Sequence, residues 1–185
     1  MNTANKLTML RVVLIPVFLV LLYLDFPCHQ IAALGVFILA SVTDFVDGYV
    51  ARHYNQITDF GKFMDPLADK LLVTTAMLWF VEVGQMAAWA LLVVIAREFA
   101  VSGLRMVAGP KGIVIAAGWS GKVKTFATMV CVCIMLIPPL AGFGFGLGIA
   151  ELTLNTVCVA VILATTVWSG IEYFVKNASV FSGAV

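Results

Sequence analysis

Charge is scarce in this sequence. Only 11% of its 185 residues are Asp, Glu, Lys or Arg, where a soluble domain carries about a quarter. The apolar share, 62%, exceeds what one core of this length can bury, so a lipid bilayer is the expected solvent for the remainder. No two Lys or Arg residues are adjacent and the net charge is +1, which gives no basic field for nucleic acid and excludes it as an expected partner. Cysteine pairing is missing too. Cys28, Cys131, Cys133 and Cys158 form no C-x-x-C pair and have no histidine at zinc spacing. They read as small buried hydrophobes, with Cys28, in a predicted loop, the one that keeps a chance of reactivity. A cleavage site is also lacking. Lys6 and Arg11 precede an apolar run from Val12 to Leu24, but no A-x-A follows and Pro27 precedes Cys28. That segment is expected to stay as a first membrane helix.

What the chain does have is six apolar segments near the roughly 20 residues that a bilayer requires. They are predicted at Leu7–Leu24, Ile31–Arg52, Gly61–Val81, Met86–Val107, Lys122–Leu140 and Leu152–Val175. The connectors are Asp25–Gln30, His53–Phe60, Glu82–Gln85, Ala108–Gly121 and Ala141–Glu151. No soluble domain, repeat or low-complexity tract interrupts them, so residues 1–185 read as one transmembrane domain. The expected fold class is all-α integral membrane, six transmembrane helices with a cytoplasmic-facing polar cleft.

With six spans, Lys6, Arg11, Arg52, Lys62, Lys70, Arg105, Lys111, Lys122, Lys124 and Lys176 all fall toward one side. Arg97 alone is mid-span. The positive-inside rule then places both termini and the charged loops in the cytoplasm of a bacterial inner membrane.

Four carboxylates lie inside two adjacent predicted spans: Asp44 and Asp47 in the second, Asp65 and Asp69 in the third. Each costs about 2.5–3.5 kcal/mol on insertion scales, so a compensating positive charge is expected. Asp44 and Asp47 lie about 60° apart around their helix, Asp65 and Asp69 about 40° apart around theirs. A short connector makes these helices antiparallel neighbours, so the two pairs can converge near the cytoplasmic end. Oxygen-only ligands, with just His29 and His53 elsewhere, favour Mg²⁺ or Mn²⁺ over zinc.

The run Asp44-Phe-Val-Asp47-Gly48-Tyr-Val-Ala51-Arg52, eight residues, then Gly61-Lys-Phe-Met-Asp65-Pro-Leu-Ala-Asp69 matches D-x2-D-G-x2-A-R-x8-G-x3-D-x3-D throughout. In this the chain resembles the CDP-alcohol phosphotransferases, also called phosphatidyltransferases. Eight specified positions at fixed spacing make the motif specific, and the six-helix layout extends the likeness to essentially the whole chain. The resemblance implies two divalent metal ions, which can neutralise a pyrophosphate and the leaving phosphate during in-line attack. It assigns metal to Asp44, Asp47 and Asp65, and to Asp69 the role of general base, with a further contact to metal. Gly48, Ala51, Arg52 and Gly61 fall to the nucleotide. The two glycines let it approach helix backbone, and Arg52 can meet a phosphate or an aspartate. Asn5, Thr8 and Arg11, at intervals of three, resemble a nucleotide-facing element of the same family; read alone they are an ordinary polar juxtamembrane turn. The resemblance also implies a homodimer.

A second polar cluster comprises Arg97, Glu98, Ser102, Arg105, Lys122 and Lys124. Arg97 and Arg105 are two turns apart and share a face. Snorkelling explains Lys111 and Lys176 but explains mid-span Arg97 less well. Arg97, Arg105, Lys122 and Lys124 are therefore candidates for a pocket that holds an acceptor's phosphate. The stretches Met64–Lys70 and Ala96–Arg105 look like the branch of the family that uses CDP-diacylglycerol and sn-glycerol 3-phosphate, and an acceptor bearing its own phosphate accounts for the basic cluster. Inositol phosphate, serine and phosphatidylglycerol remain alternative acceptors.

Intramembrane carboxylates also suit a small cation or proton transporter, which leaves Gly48, Ala51, Arg52 and Gly61 unexplained. A non-catalytic scaffold is the third reading. Small residues such as Ala87, Ala88, Ala90, Ala117, Gly118 and Ser120 suit close helix packing. Trp79, Trp89 and Trp119 are expected as interface anchors, and Trp168 is expected to pack against a helix or lipid. Asp25, Glu82 and Glu151 fall on the outer side with no assigned role. The charge asymmetry predicts that a reporter fused after Val185 is active on the cytoplasmic side; a C-terminus protected on the outer side would refute this topology.

Overall fold

Apolar runs of this length fold as helices because a helix satisfies its own backbone where no water can. A computed structural model describes residues 3–24, 26–53, 59–109, 118–137 and 148–178. It contains α1 (Thr3–Tyr23), α2 (His29–His53), α3 (Asp59–Glu82), α4 (Ala88–Ala108), α5 (Trp119–Leu136) and α6 (Gly148–Lys176), and no strand among the described residues. Each expected span coincides with one helix to within a few residues. The largest difference at a C-terminus is in α5, which stops at Leu136. Pro138 disfavours helix at the residue before it, and the Ile137 N–H turns back to the Ile134 carbonyl at 3.1 Å.

Two turns are set by unusual backbone. Between α1 and α2, Cys28 adopts φ +67, and its carbonyl accepts from the N–H groups of Ile31 and Ala32 at 3.0 and 3.1 Å. Between α3 and α4, Gly84 adopts φ +77, a conformation open to glycine without a Cβ clash.

The helices form two units, drawn from Met1–Glu82 with Val132–Leu147 and from Val83–Cys131 with Gly148–Val185. In the first, α1 packs on α2 and α3. Phe18 of α1 meets Phe37 of α2 with ring centroids 5.7 Å apart, and both are fully buried. Ala33 and Ala40 on α2, and Ala68 and Ala76 on α3, are buried as well; small side chains let helix backbones approach closely. The Tyr23 hydroxyl donates to Glu82, tying the end of α1 to the end of α3. In the second unit α4 packs on α6, around Val101, Leu104, Ala108 and Tyr173, with Phe174 against them.

The outer faces are apolar. Val13, Val20, Leu39, Leu92, Phe99, Phe126 and Ile171 are all exposed, which water penalises and lipid does not. Two stretches, Trp119–Leu136 and Leu154–Lys176, are long and apolar enough to cross a bilayer, while Thr8–Tyr23 and His29–Asp44 are shorter apolar helices. The ionisable residues within α3 and α4 set those two helices apart. An all-helical chain with such faces is consistent with a membrane protein.

One anchor is placed differently from expectation. Trp79 is buried, its ring 5.7 Å from that of Phe80, because it lies on the face of α3 that carries Ala76 and Phe80 inward. Trp89 and Trp119 are exposed, as anchors require. Cys131 and Cys158 are buried as expected, Cys133 is half-buried, and Cys28, expected with the others as a buried hydrophobe, is exposed on its turn.

Phe37→Ala removes the partner of Phe18 from a filled core. The expected loss is about 3 kcal/mol, read as a lower melting temperature of the detergent-solubilised protein, with Leu39→Ala on the exposed face as a near-neutral control.

Candidate active site

One polar group lies in the first unit, on α1 and α2. Thr8, Arg11, Phe18 and Leu22 form one buried stripe of α1, so the helical period that buries two apolar residues also carries Arg11 inward. A fully buried guanidinium needs a partner. It has one in Asp44, whose Oδ1 lies 2.7 Å from Arg11 Nη1. The Asp44 side chain remains 39% exposed, so one side of the carboxylate is held while the group stays reachable. Thr43 beside it is buried and donates to the Leu39 carbonyl at 2.7 Å, which satisfies the hydroxyl locally.

The other motif residues divide by element. Asp47, Gly48, Ala51 and Arg52 lie on the same unbroken α2 as Asp44, which preserves the angular relation expected of the first two aspartates. Gly61, Asp65 and Asp69 lie on α3, with Pro66 inside the helix. Asp69 is half-buried and engaged in a polar contact. The side chains of Asn5, Asp47, Arg52 and Asp65 lie outside the described residues, as do the surroundings of Gly48, Ala51 and Gly61. Among the described residues no group of three or more His, Cys, Asp or Glu is placed to hold a metal. Thr8, expected to face a nucleotide, is buried on the Arg11 stripe.

A separate polar group lies in the second unit, on α4, α5 and α6. Glu98 Oε1 accepts from Arg97 Nη1 at 3.0 Å and from Lys124 Nζ at 2.7 Å. Both cations are nearly buried, and among the described residues two cations share this one carboxylate. Gly170 gives Arg97 room, since a Cβ there would lie 3.3 Å from Arg97 Cγ, whereas one on Gly121 would make ordinary contact 3.9 Å from Nη2. Arg105, two turns along α4, is held separately. Its Nε donates to the Tyr173 hydroxyl at 3.0 Å, and its guanidinium carbon sits 5.6 Å from that ring's centroid. Lys122 is exposed; two residues from Lys124, it points about 200° away around α5. The structure thus brings Arg97 and Lys124 together, places Arg105 on the same helix with its own partner, and leaves Lys122 outside the group.

Three participants carry no sequence signal strong enough to assign them. Arg11 is visible only as part of the N-x2-T-x2-R spacing, Glu98 only as a member of the basic cluster, and Tyr173 as one aromatic residue among many. Their roles depend on which helices adjoin.

The family described as CDP-alcohol phosphatidyltransferase matches residues 1–168. The chain is 43% identical over 188 residues, covering 95% of each partner, to a Bacillus subtilis (strain 168) protein named CDP-diacylglycerol--glycerol-3-phosphate 3-phosphatidyltransferase. It is 40% identical over 182 residues to a Pseudomonas fluorescens protein of the same name, covering 94% of this chain and 88% of the relative. A Mycobacterium tuberculosis (strain ATCC 25618 / H37Rv) protein named probable phosphatidylglycerophosphate synthase is 36% identical over 178 residues, covering 95% of this chain and 81% of its own.

The Arg11–Asp44 pair is asymmetric, one partner buried and the other half open. Asp44→Asn strands a buried cation and is expected to cost about 3 kcal/mol. Arg11→Met leaves a carboxylate that water can reach and costs less. In a double-mutant cycle of thermal unfolding without divalent metal, the two changes together are expected to fall short of their sum by about 1 kcal/mol or more; strict additivity would refute the pairing.

Proposed function

The chain belongs to the CDP-alcohol phosphatidyltransferase family, and from that membership we propose that it transfers the phosphatidyl group of CDP-diacylglycerol to sn-glycerol 3-phosphate, giving phosphatidylglycerophosphate and CMP in phospholipid biosynthesis. The observation that carries this reading is identity at 36–43% over nearly the whole chain to relatives named for that transfer or its product. The basic group at Arg97 and Lys124 supports an acceptor that brings its own phosphate; serine would not need it.

In this reading the acceptor's C1 hydroxyl oxygen attacks the phosphorus on the diacylglycerol side of the pyrophosphate. The bond to the bridging oxygen breaks, and CMP departs with that electron pair. Asp69 takes the proton from the attacking hydroxyl. Arg97, Arg105 and Lys124 hold the acceptor's phosphate, with exposed Lys122 contributing to its approach. Asn5, Thr8, Gly48, Ala51, Arg52 and Gly61 form the nucleotide side, where Arg11 steadies Asp44.

Asp44, Asp47, Asp65 and Asp69 are the residues that would hold two divalent ions, Mg²⁺ or Mn²⁺. The donor set fits: it is all carboxylate oxygen, and Asp44 is both anchored and 39% exposed. When bound, such ions neutralise charge on the pyrophosphate and the departing phosphate.

The surrounding architecture in this reading is six spans and a cytoplasmic-facing polar cleft, in a bacterial inner membrane with both termini in the cytoplasm. The charge asymmetry of the sequence supports it. A homodimer follows from the family likeness.

The test is CMP release by the purified chain in detergent with Mg²⁺ and CDP-diacylglycerol, offering glycerol 3-phosphate, inositol phosphate, serine and phosphatidylglycerol separately. Turnover is expected with glycerol 3-phosphate alone, and Asp69→Asn is expected to lower kcat by about 10²–10⁴-fold. Metal-dependent turnover with a different acceptor would overturn the substrate while keeping the chemistry.

A further inference from the structure

Hydroxyls in apolar helices are usually satisfied by their own backbone, donating to a carbonyl one turn back. Thr125 donates to Gly121 at 3.0 Å, Thr165 to Val161 at 2.8 Å, and Ser169 to the Thr166 carbonyl at 3.1 Å. Thr128 and Thr166 do not follow this habit. They are 2% and 0% exposed, and neither hydroxyl has a hydrogen-bond partner among the described residues. An unsatisfied buried hydroxyl is unfavourable, and two of them on neighbouring helices indicate something polar that meets them.

Their positions say what. Ser120 on α5 hydrogen-bonds Glu172 on α6, and Cys131 on α5 hydrogen-bonds Cys158 on α6. As one helix ascends between these contacts the other descends, so the pair is antiparallel. On α5 the stripe joining them runs Ser120, Lys124, Thr128, Cys131; on α6 it passes through Thr166. Thr128 is one turn from Lys124. Thr166 is one turn from Gly170, on whose bare face the Arg97 side chain lies. Both steps lead toward the Cys131–Cys158 end; in the antiparallel pair Thr166 lies about level with Lys124 on α5, and Thr128 lies about one helical pitch of 5.4 Å beyond it.

We infer that Thr128 and Thr166 are specificity-determining residues that receive the secondary hydroxyl of a phosphorylated three-carbon polyol while Arg97 and Lys124 hold its phosphate. The inference rests on the acceptor proposed above and adds to it the groups that recognise the alcohol. A threonine hydroxyl both donates and accepts, as an alcohol does, so the match is chemical as well as spatial.

The experiment compares glycerol 3-phosphate with propane-1,3-diol monophosphate, which keeps the attacking hydroxyl and the phosphate and lacks the secondary hydroxyl. CMP release is measured with the full chain in detergent. The wild type is expected to favour glycerol 3-phosphate by about tenfold or more in kcat/KM. Thr166→Val keeps shape and loses the hydroxyl; its preference is expected to fall to within about threefold, through glycerol 3-phosphate alone, with Thr128→Val acting in the same direction. Thr166→Ser is expected to retain the preference. Equal losses on both substrates, a preference kept by both valine variants, or a wild type that does not discriminate would each overturn the inference. A wild type that turns over neither phosphate overturns the acceptor reading instead, an outcome visible before any variant is made.

Discussion

Burying charge in a chain with so little of it is the constraint on which the rest depends. An ionised group held away from water must be paired or hydrogen-bonded, and the described helices meet that demand by short contacts. Arg11 reaches Asp44 at 2.7 Å, and Lys124 reaches Glu98 at 2.7 Å. Each contact joins two different helices. The polar groups that chemistry needs therefore also fix which helix faces adjoin, and apolar packing such as Phe18 on Phe37 fills in around them.

The sequence reveals the helices and the residue types of the site far better than it reveals the partners. A run such as Leu152–Val175 declares a helix because nothing else satisfies its backbone in lipid, and α6 overlies it. The motif on α2 and α3 is legible because its spacing is fixed within single helices. Partnership across helices is another matter. That Arg11 lands on Asp44 depends on the rotation of α1 against α2, which no spacing within either helix encodes. The same holds for Glu98: beside Arg97 in sequence it looks like a local pair, and only α5 packing adds Lys124. Trp79 fails as an anchor for a related reason. Its distance along α3 suits an interface, but its angle around α3 is inward. Lys122 and Lys124 look equivalent in sequence, yet they point to different sides of one helix.

Removing charge on one side of an ion pair is not the same as removing it on the other, and the ion-paired group in each unit shows why. At Asp44 the carboxylate is the exposed partner and the cation the buried one, so the group left facing outward is negative and suited to a cation. At Glu98 the two cations are the more buried partners, and together they exceed the single carboxylate. The excess there is positive and suited to an anion.

The shared carboxylate at Glu98 also bears on how an anion is received. Arg97 and Lys124 without a counter-ion would repel each other across a desolvated space. With Glu98 they are held close, at positions set by Gly170 beneath the arginine. A phosphate arriving there meets donors already oriented, so less side-chain entropy is lost on binding. It must also compete with Glu98 for the same N–H groups, and a dianion competes for two cations better than a neutral alcohol or a zwitterion does. In the proposed acceptor reading, the carboxylate that holds the two cations together thus favours phosphorylated acceptors over unphosphorylated ones, and choice among phosphorylated acceptors falls to groups that read the rest of the molecule.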